Sequence, residues 1–584
     1  MSRRRPAAAS GRPAAPARLV AVMTAVMLML GACSPMLPTD GPVGTSAPDA
    51  DPGFNYAPLA EPPKPDASPE EIVDGFIRAG AGPQDDYAVA RQFMSPEAAR
   101  EWRPDARTVV FTEDQFPIQF SGENTRNVQL SVESIIDSSG IRTRLPERST
   151  ESLDFTLEQV GSQWRITDAP DGTMLLAGTV DQVFRPHTLY YFDPQLRYAV
   201  PDQRWFLNRP GISSAIVAAL LEGPAPYLEP AVVSAFPDGA ELERASVPVD
   251  EGTAAVDFAA EGIAAAEPAE RALMQEQLDL ALGSLTSVQE VELLVEQREL
   301  EIPVEADLPE EDRLDINASP QVDSTQVGIE DGELRRQNDQ VNLTVANLPD
   351  ISDLDPQDPA VPHEASDIFA FLDGEAEELY HLRPNREPDL VLEEENLTRP
   401  SMDNFGWTWV ASESGGEAIV HAVAYDESLE PGRAEVSADW LANRTITSLR
   451  ISQDGARAAM ILDDDGERGL YVAGVIRNSA GVPQGLGQPM RVQTSVELEE
   501  VRWQGPDALY VWASSEEEPM TPEWVTLTGA NRVDPALLGL LNISVGEGQD
   551  IIFAETVDVP FQNLASDAWV ASEDIEIRDL AYPG

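Results

Sequence analysis

One thiol, four imidazoles and 102 carboxylates make up the reactive inventory of this 584-residue chain. The thiol is Cys33, which follows Leu30-Gly31-Ala32. Two small residues before a cysteine suit a narrow peptidase site, and the thiol is the one strong nucleophile nearby for forming a thioether. With a single cysteine, an intrachain disulfide and thiolate metal sites are excluded. His187, His363, His381 and His421 are scattered, and none has the i, i+4 spacing of a metal pair. Each is expected to be a surface or strand histidine. Asp463-Asp464-Asp465-Gly466 offers hard oxygen ligands for calcium but lacks the alternating carboxylates and distal Glu of an EF loop, so a solvated hairpin turn is expected. Nucleophile-elbow, P-loop and dinucleotide motifs are missing, and no carboxylate pair is singled out for glycoside hydrolysis. The expectation is a protein that is not an enzyme, with no metal and no cofactor.

The residues before Cys33 explain its chemistry. Arg3, Arg4, Arg5, Arg12 and Arg18 precede an uncharged run, Leu19–Leu30. Twelve helical residues rise about 18 Å, short of the roughly 30 Å hydrocarbon core, so the run reads as a secretory signal rather than a membrane span. Leu30-Gly31-Ala32-Cys33 resembles the bacterial lipobox. That resemblance implies cleavage between Ala32 and Cys33, with S-diacylglycerol and N-acyl groups on Cys33, leaving the protein lipid-anchored on the extracytoplasmic face of the cell membrane. Ser2–Arg5 hints at twin-arginine export, but the apolar residues that should follow are missing. Residues 1–32 are thus a signal peptide, and 33–67, rich in Pro, Gly, Ala and Asp, a flexible tether.

Length predicts two to four domains beyond the tether. The net charge of −63, with Lys64 the only lysine, would repel phosphate backbones and anionic headgroups, which argues against nucleic-acid binding. Ser68-Pro69-Glu70-Glu71 opens a helix with a capping box, placing Ile72, Phe76 and Ala79 on one face. A second helical stretch is expected around Tyr87–Met94, and another from Ser95-Pro96-Glu97. Alternating segments follow, ending in Gly161-Ser-Gln-Trp-Arg-Ile166. Residues 68–184 therefore read as an α+β unit resembling the NTF2-like cones, with a plain packed core expected instead of a catalytic pocket.

In 185–302, Leu189–Asp193 and Ala255–Phe258 read as strands and Ile212–Leu221 as a helix stopped by Gly223-Pro224. Phe236-Pro-Asp-Gly239 reads as a turn; a helix from Pro268 and a strand Val291–Val295 complete the unit. This order of motifs resembles the GerMN domain, an α+β module without a known catalytic centre.

Residues 303–584 repeat apolar strands followed by acidic or glycine turns, at Gln326–Ile329, Ile368–Leu372, Trp407–Ala411, Ala458–Leu462, Leu509–Ala513 and Ala568–Ala571. Trp-Val-Ala-Ser-Glu occurs at both 409–413 and 569–573. Strands apolar on both faces, repeated about six times, predict an all-β propeller of about six blades, with a pair of sandwiches as the alternative. The two tryptophans are expected at equivalent places, packing between blades. Ser452-Gln-Asp-Gly455 resembles the Ser-x-Asp-Gly turn of propeller blades, a motif degraded elsewhere in the chain.

Lipobox, tether, helix-then-sheet unit, GerMN-like unit and terminal propeller, in that order, resemble the LpqB lipoproteins of the actinobacterial envelope across nearly the whole chain. The resemblance implies an accessory of the Mtr two-component system that contacts the extracellular domain of the sensor histidine kinase MtrB and influences envelope homeostasis and division. The alternative is an envelope glycan-binding or cell-wall-processing lipoprotein that uses the propeller channel.

Overall fold

The computed structural model of the chain describes residues 60–146, 149–303, 308–309, 313, 315–338, 341–364, 366–546, 552–559, 561–565, 568–572 and 577–584. Cys33, the signal segment and most of the tether lie outside the described residues. Among those residues no helix is long and apolar enough to cross a membrane.

Helix α1 (Pro69–Ala79) starts where the sequence places it. The Glu71 amide donates to Ser68 Oγ (3.3 Å), and the Ser68 amide donates to Glu71 Oε2 (2.8 Å). Its buried face, Ile72, Val73, Phe76, Ile77 and Ala79, packs into a strongly bent sheet. The sheet runs 163–168, 150–160, 125–137, 107–111 and 173–176, the last pair parallel and the others antiparallel. Phe76 meets Trp102 and Phe155 edge-on at 5.1 and 6.0 Å, which closes the core.

The next two expected helices shrink to a 3-10 turn, Ala90–Phe93, and one α-turn, Ala98–Glu101. Asp85, Asp86 and Tyr87 carry positive φ and Pro96 follows closely, so neither segment has the length to repay helix nucleation. Tyr87, Phe93 and Met94 are still buried. Their apolar spacing reports core contact, not helix.

The second unit begins with an antiparallel hairpin, Phe184–Phe192 with Ala199–Leu207. Helix α2 (Ile212–Glu222) follows and ends at Gly223, whose φ of 108° favours glycine. Thr253–Phe258 and Glu290–Val295 pair in parallel, connected through helix α3 (Pro268–Leu282). Gln277 of α3 is fully buried and pins the unit together: its Oε1 accepts from the Ala235 amide (2.8 Å), and its Nε2 donates to Tyr190 O (2.6 Å).

The C-terminal region is a propeller of six sheets among the described residues. Blade 2 comprises 357–360, 369–372, 378–382 and 389–393, and blade 3 comprises 401–402, 407–414, 417–424 and 433–436. Blade 4 runs 445–451, 457–464, 467–477 and 483–486, with 490–492 added beside its third strand. Blade 5 holds 500–503, 508–512, 523–526 and 531–533; blade 6 holds 540–544, 552–556, 561–565 and 568–572. Blade 1 takes 326–330, 333–338 and 341–344 from the start of the region and its innermost strand, 578–581, from the end. That exchange closes the ring, because Val327 pairs with Ala581 across it.

Five of the six sequence repeats are the second strand of a blade. The sixth is not: Ala568–Ser572 is the outermost strand of blade 6, and the second strand there is Ile552–Thr556. Trp409 is fully buried, whereas Trp569 is half-exposed beside Val570, itself 54% exposed. The two Trp-Val-Ala-Ser copies therefore occupy different places, and the expectation of equivalence is corrected. Trp569 nevertheless packs between blades, against the cluster of Tyr510, Trp512 and Leu540, and its Nε1 donates to Pro535 O (2.7 Å). By register from the turn, Tyr510, fully buried in blade 5, is the positional counterpart of Trp409.

The three units share packing. Val110, Ile136 and Leu175 of the first unit cluster with Val183, Phe184 and Trp205. A continuous apolar core joins Leu228, Phe258 and Leu278 to Ala459, Val472, Val501 and Val525 of blades 4 and 5. At this seam the Gly474 amide donates to Tyr227 O (2.7 Å); a Cβ at Gly474 would sit 2.6 Å from the Ala231 methyl.

Candidate functional site

Strand alternation builds a charged shaft along the propeller axis. In each innermost strand one face packs on its blade, and residues two apart face the axis. Ser448 and Arg450 (blade 4), Glu500 and Arg502 (blade 5), Asn542 and Ser544 (blade 6) and Asp358 (blade 2) all belong to these strands, as does Asp579 (blade 1). Arg399, just before blade 3, reaches in between them. Its Nε lies 3.1 Å from Asp358 and 3.4 Å from Glu500, and Nη1 donates to Asn542 Oδ1 (2.6 Å). Burial works against the Arg399 charge, yet Asp358 and Glu500 outweigh it and hold its pKa above the ordinary value.

The two arginines deeper in the shaft fare differently. Burial, with the repulsion of Arg399, brings Arg450 down to about 10. Burial, then Arg450 itself, holds Arg502 well below the ordinary arginine range. On the acidic side, burial and Asp579 push Glu555 up to about 7, while burial and Asp358 push Asp579 up to about 6. Carboxylates thus lie at blades 1, 2 and 6, while blades 4 and 5 together bring two guanidinium groups, Arg450 and Arg502, and one carboxylate, Glu500.

At the arginine side a cavity of about 20 Å³ is lined by His363, Arg450, Gln453, Arg502, Trp503 and Tyr582 among others. It has room for one water-sized body and none for a sugar ring.

A second charged device holds the turns that lead from the first to the second strand of blades 3 and 4. In blade 4, Asp454 Oδ1 accepts from the Ala456 amide (3.0 Å) and from Ser452 Oγ, and Asp454 also pairs with the buried Arg457. In blade 3, Asp403 takes this role without its serine, since Ser401 Oγ accepts from the Ile451 amide of blade 4 (3.0 Å). Asp403 accepts from the amides of Phe405 and Trp407 (both 2.9 Å), from Trp409 Nε1 (2.8 Å) and from Arg477 Nη2 (2.6 Å). Asp403 and Arg477 are both essentially without solvent exposure. Blade 3 therefore keeps the aspartate of the turn but neither its serine bond nor its immediate glycine; Gly406 comes three residues after the Asp.

The remaining residues singled out in the sequence are placed as follows. Asp463–Gly466 forms the tight hairpin between the second and third strands of blade 4. Asp465 and Gly466 have φ of 53° and 89°, and Arg444 and Arg468 neighbour Asp464 and Asp463 at 3.2 Å. No group of three or more His, Cys, Asp or Glu is gathered for a metal among the described residues. His381 and His421 lie buried in strands, bonded to Thr408 Oγ1 (2.9 Å) and Ser412 Oγ (2.8 Å), and His187 lies in the hairpin of the second unit. His363 is the exception, a buried loop residue at the shaft cavity; burial lowers its pKa to about 4.

Sequence reasoning missed the shaft. Its signal was present as charges alternating with apolar residues in Glu500-Val-Arg-Trp503 and Leu449-Arg-Ile451.

In the N-terminal unit, an open cleft of 780 Å³ runs beside α1 past Lys64, Glu70, Asp74, Arg78 and Phe111. Arg78 is held there by Asp74 (2.9 Å) and Asp114 (2.8 Å), both exposed pairs.

Comparison with known proteins follows this architecture. The family model of the lipoprotein LpqB N-terminal domain matches residues 62–181, and that of the lipoprotein LpqB beta-propeller domain matches 332–577. Between them, a model described as sporulation and spore germination matches 188–301. Lipoprotein LpqB of Thermobifida fusca is 25% identical over 87% of this chain and 90% of its own length. The Streptomyces coelicolor lipoprotein LpqB is 26% identical over 91% of this chain and 92% of its own. Among solved structures, TolB from Acinetobacter baumannii overlaps 44% of this chain and 65% of its own, at 11% identity and a TM-score of 0.29.

Proposed function

The chain belongs to the LpqB family of lipoproteins, and from that premise we propose that it is a lipid-anchored adaptor on the extracytoplasmic face, modulating a sensor histidine kinase of the Mtr type. The single observation that supports this reading most is the fusion of three recognition modules into one packed body. The GerMN-like unit shares an apolar core with blades 4 and 5 and a second cluster with the N-terminal unit. Binding at one module is then transmitted as a rigid-body event to the others, which suits a modulator better than a catalyst.

Cys33 supplies the anchor in this reading, with cleavage after Ala32. The tether, residues 33–67, sets the reach. Asp66 already bonds Gln163 of the first unit, so the reach is set by the roughly 27 residues from Cys33 to Leu59, which as random coil would span on the order of 30 Å, enough to meet the kinase's extracytoplasmic domain at the bilayer surface. The large acidic excess, −63 overall, directs the body toward a basic partner surface and away from anionic lipid. The glycan alternative loses support at the shaft, where the cavity is too small for a sugar unit.

The test compares kinase output and envelope phenotype in cells carrying the wild type or Cys33→Ala. Adaptor action requires the soluble form to alter both, because untethering lowers its effective concentration at the kinase. Unchanged output with an unchanged envelope would sink the proposal.

A further inference from the structure

The propeller shaft brings two buried guanidinium groups, Arg450 and Arg502, beside a single carboxylate of the same strands, Glu500. Arg450 has 2% of its side chain exposed. Its Nη1 is used, donating to Arg399 O (2.7 Å) and Pro400 O (3.1 Å), but Nε and Nη2 have no hydrogen-bond partner. The nearest carboxylate oxygen, Glu500 Oε2, is 3.8 Å from Nη2, and Glu500 is shared with Arg399. Arg502, 8% exposed, leaves its buried Nε without a partner and makes no ion pair among the described residues. His363 Nδ1, at the same cavity, is also without a partner.

A guanidinium does not shed its proton, and a buried charge without a counter-charge costs several kcal/mol. Two guanidinium groups lining one narrow space repel each other as well. Water satisfies donors but leaves the charge in place. The requirement is a negative charge, and the space decides its size: about 20 Å³ admits one water-sized body. A carboxylate-bearing peptide, a phosphate ester or a sugar acid is too large.

We infer that the shaft cavity between Arg450 and Arg502 binds one monatomic inorganic anion of chloride size. Arg450 Nε and Nη2 and Arg502 Nε are its donors, and the His363 ring lines the same space. The bound ion neutralises the arginine side of the shaft and ties the innermost strands of blades 4 and 5 to each other. It makes propeller stability depend on halide identity, beyond the ionic-strength dependence that any protein of this charge shows.

The experiment is thermal unfolding of the full folded chain in sodium chloride and in sodium gluconate at equal ionic strength, with a chloride titration. The midpoint is expected to rise with chloride and to saturate. In Arg502→Met the apparent chloride affinity is expected to fall about tenfold or more, the loss of one charge-assisted contact. Should that variant fail to fold, anomalous scattering from wild-type crystals grown in sodium bromide reads the site directly, and a peak between the two guanidinium groups supports the assignment. Coincident chloride and gluconate curves, or a bromide map without a peak there, would overturn it.

Discussion

Asp403 is the residue on which blade 3 turns, and replacing it with Asn isolates its charge. The carboxylate has no exposure and receives four donors: the amides of Phe405 and Trp407, the Trp409 indole and the Arg477 guanidinium. Asn keeps the shape and one acceptor oxygen, so the two amide bonds survive. The other oxygen becomes an NH₂ facing the indole N–H and a guanidinium that is 1% exposed. Removing one partner of a buried ion pair costs about 3–5 kcal/mol. The lower end applies here, because Arg477 also donates to Gly481 O and Gly455 O (both 3.1 Å) and lies over the Phe405 ring at 4.5 Å.

Urea unfolding of the full chain measures the loss, and hydrogen exchange across strand Trp407–Ser414 locates it. The double variant Asp403→Asn with Arg477→Met is expected to recover part of the stability, since no uncompensated charge then remains. A loss under about 1 kcal/mol for Asp403→Asn, or a double variant as damaged as the two singles together, would refute the reasoning.

The two tryptophans of the repeated pentapeptide separate cleanly. Trp409→Phe loses a hydrogen bond to a buried carboxylate and is expected to cost about 1.5–3 kcal/mol, while Trp569→Phe loses only a solvent-accessible bond to Pro535 O and is expected to cost about 1 kcal/mol at most; paired urea titrations decide. Glu555 has a folded pKa raised to about 7, so the folded chain holds the extra proton and stability falls as pH rises from about 4.5 through 7. Glu555→Gln is expected to flatten that limb of the stability–pH profile. His381 is depressed to about 3, by burial and then Arg383, so its contribution is present above pH 6.5 and lost toward acid; His381→Gln is expected to flatten the acid limb between about pH 6.5 and 3 in the same titration.

Where local signals and tertiary packing agreed, the sequence was readable. The capping box at Ser68–Glu71, the parallel pair around α3 and five second strands of blades all lie where spacing predicts, because buried second strands are apolar on both faces. Two failures share one cause, that apolar periodicity records burial and not the backbone that achieves it. Tyr87, Ala90, Phe93 and Met94 are buried with only a 3-10 turn and no α-helix between them, and Ala568–Ser572 copies a core pentapeptide on an outer strand. The shaft was hidden for a different reason. Arg399, Arg450, Glu500 and Arg502 converge from blades up to a hundred residues apart, and in a chain this rich in carboxylates no single one stands out.

The adaptor proposal is tested most directly by crosslinking the mature lipoprotein in native membranes and identifying what its folded body touches. The account predicts crosslinks from the body to the extracytoplasmic domain of a sensor histidine kinase, reduced in Cys33→Ala. Efficient crosslinking that yields envelope polymer and no kinase would contradict it.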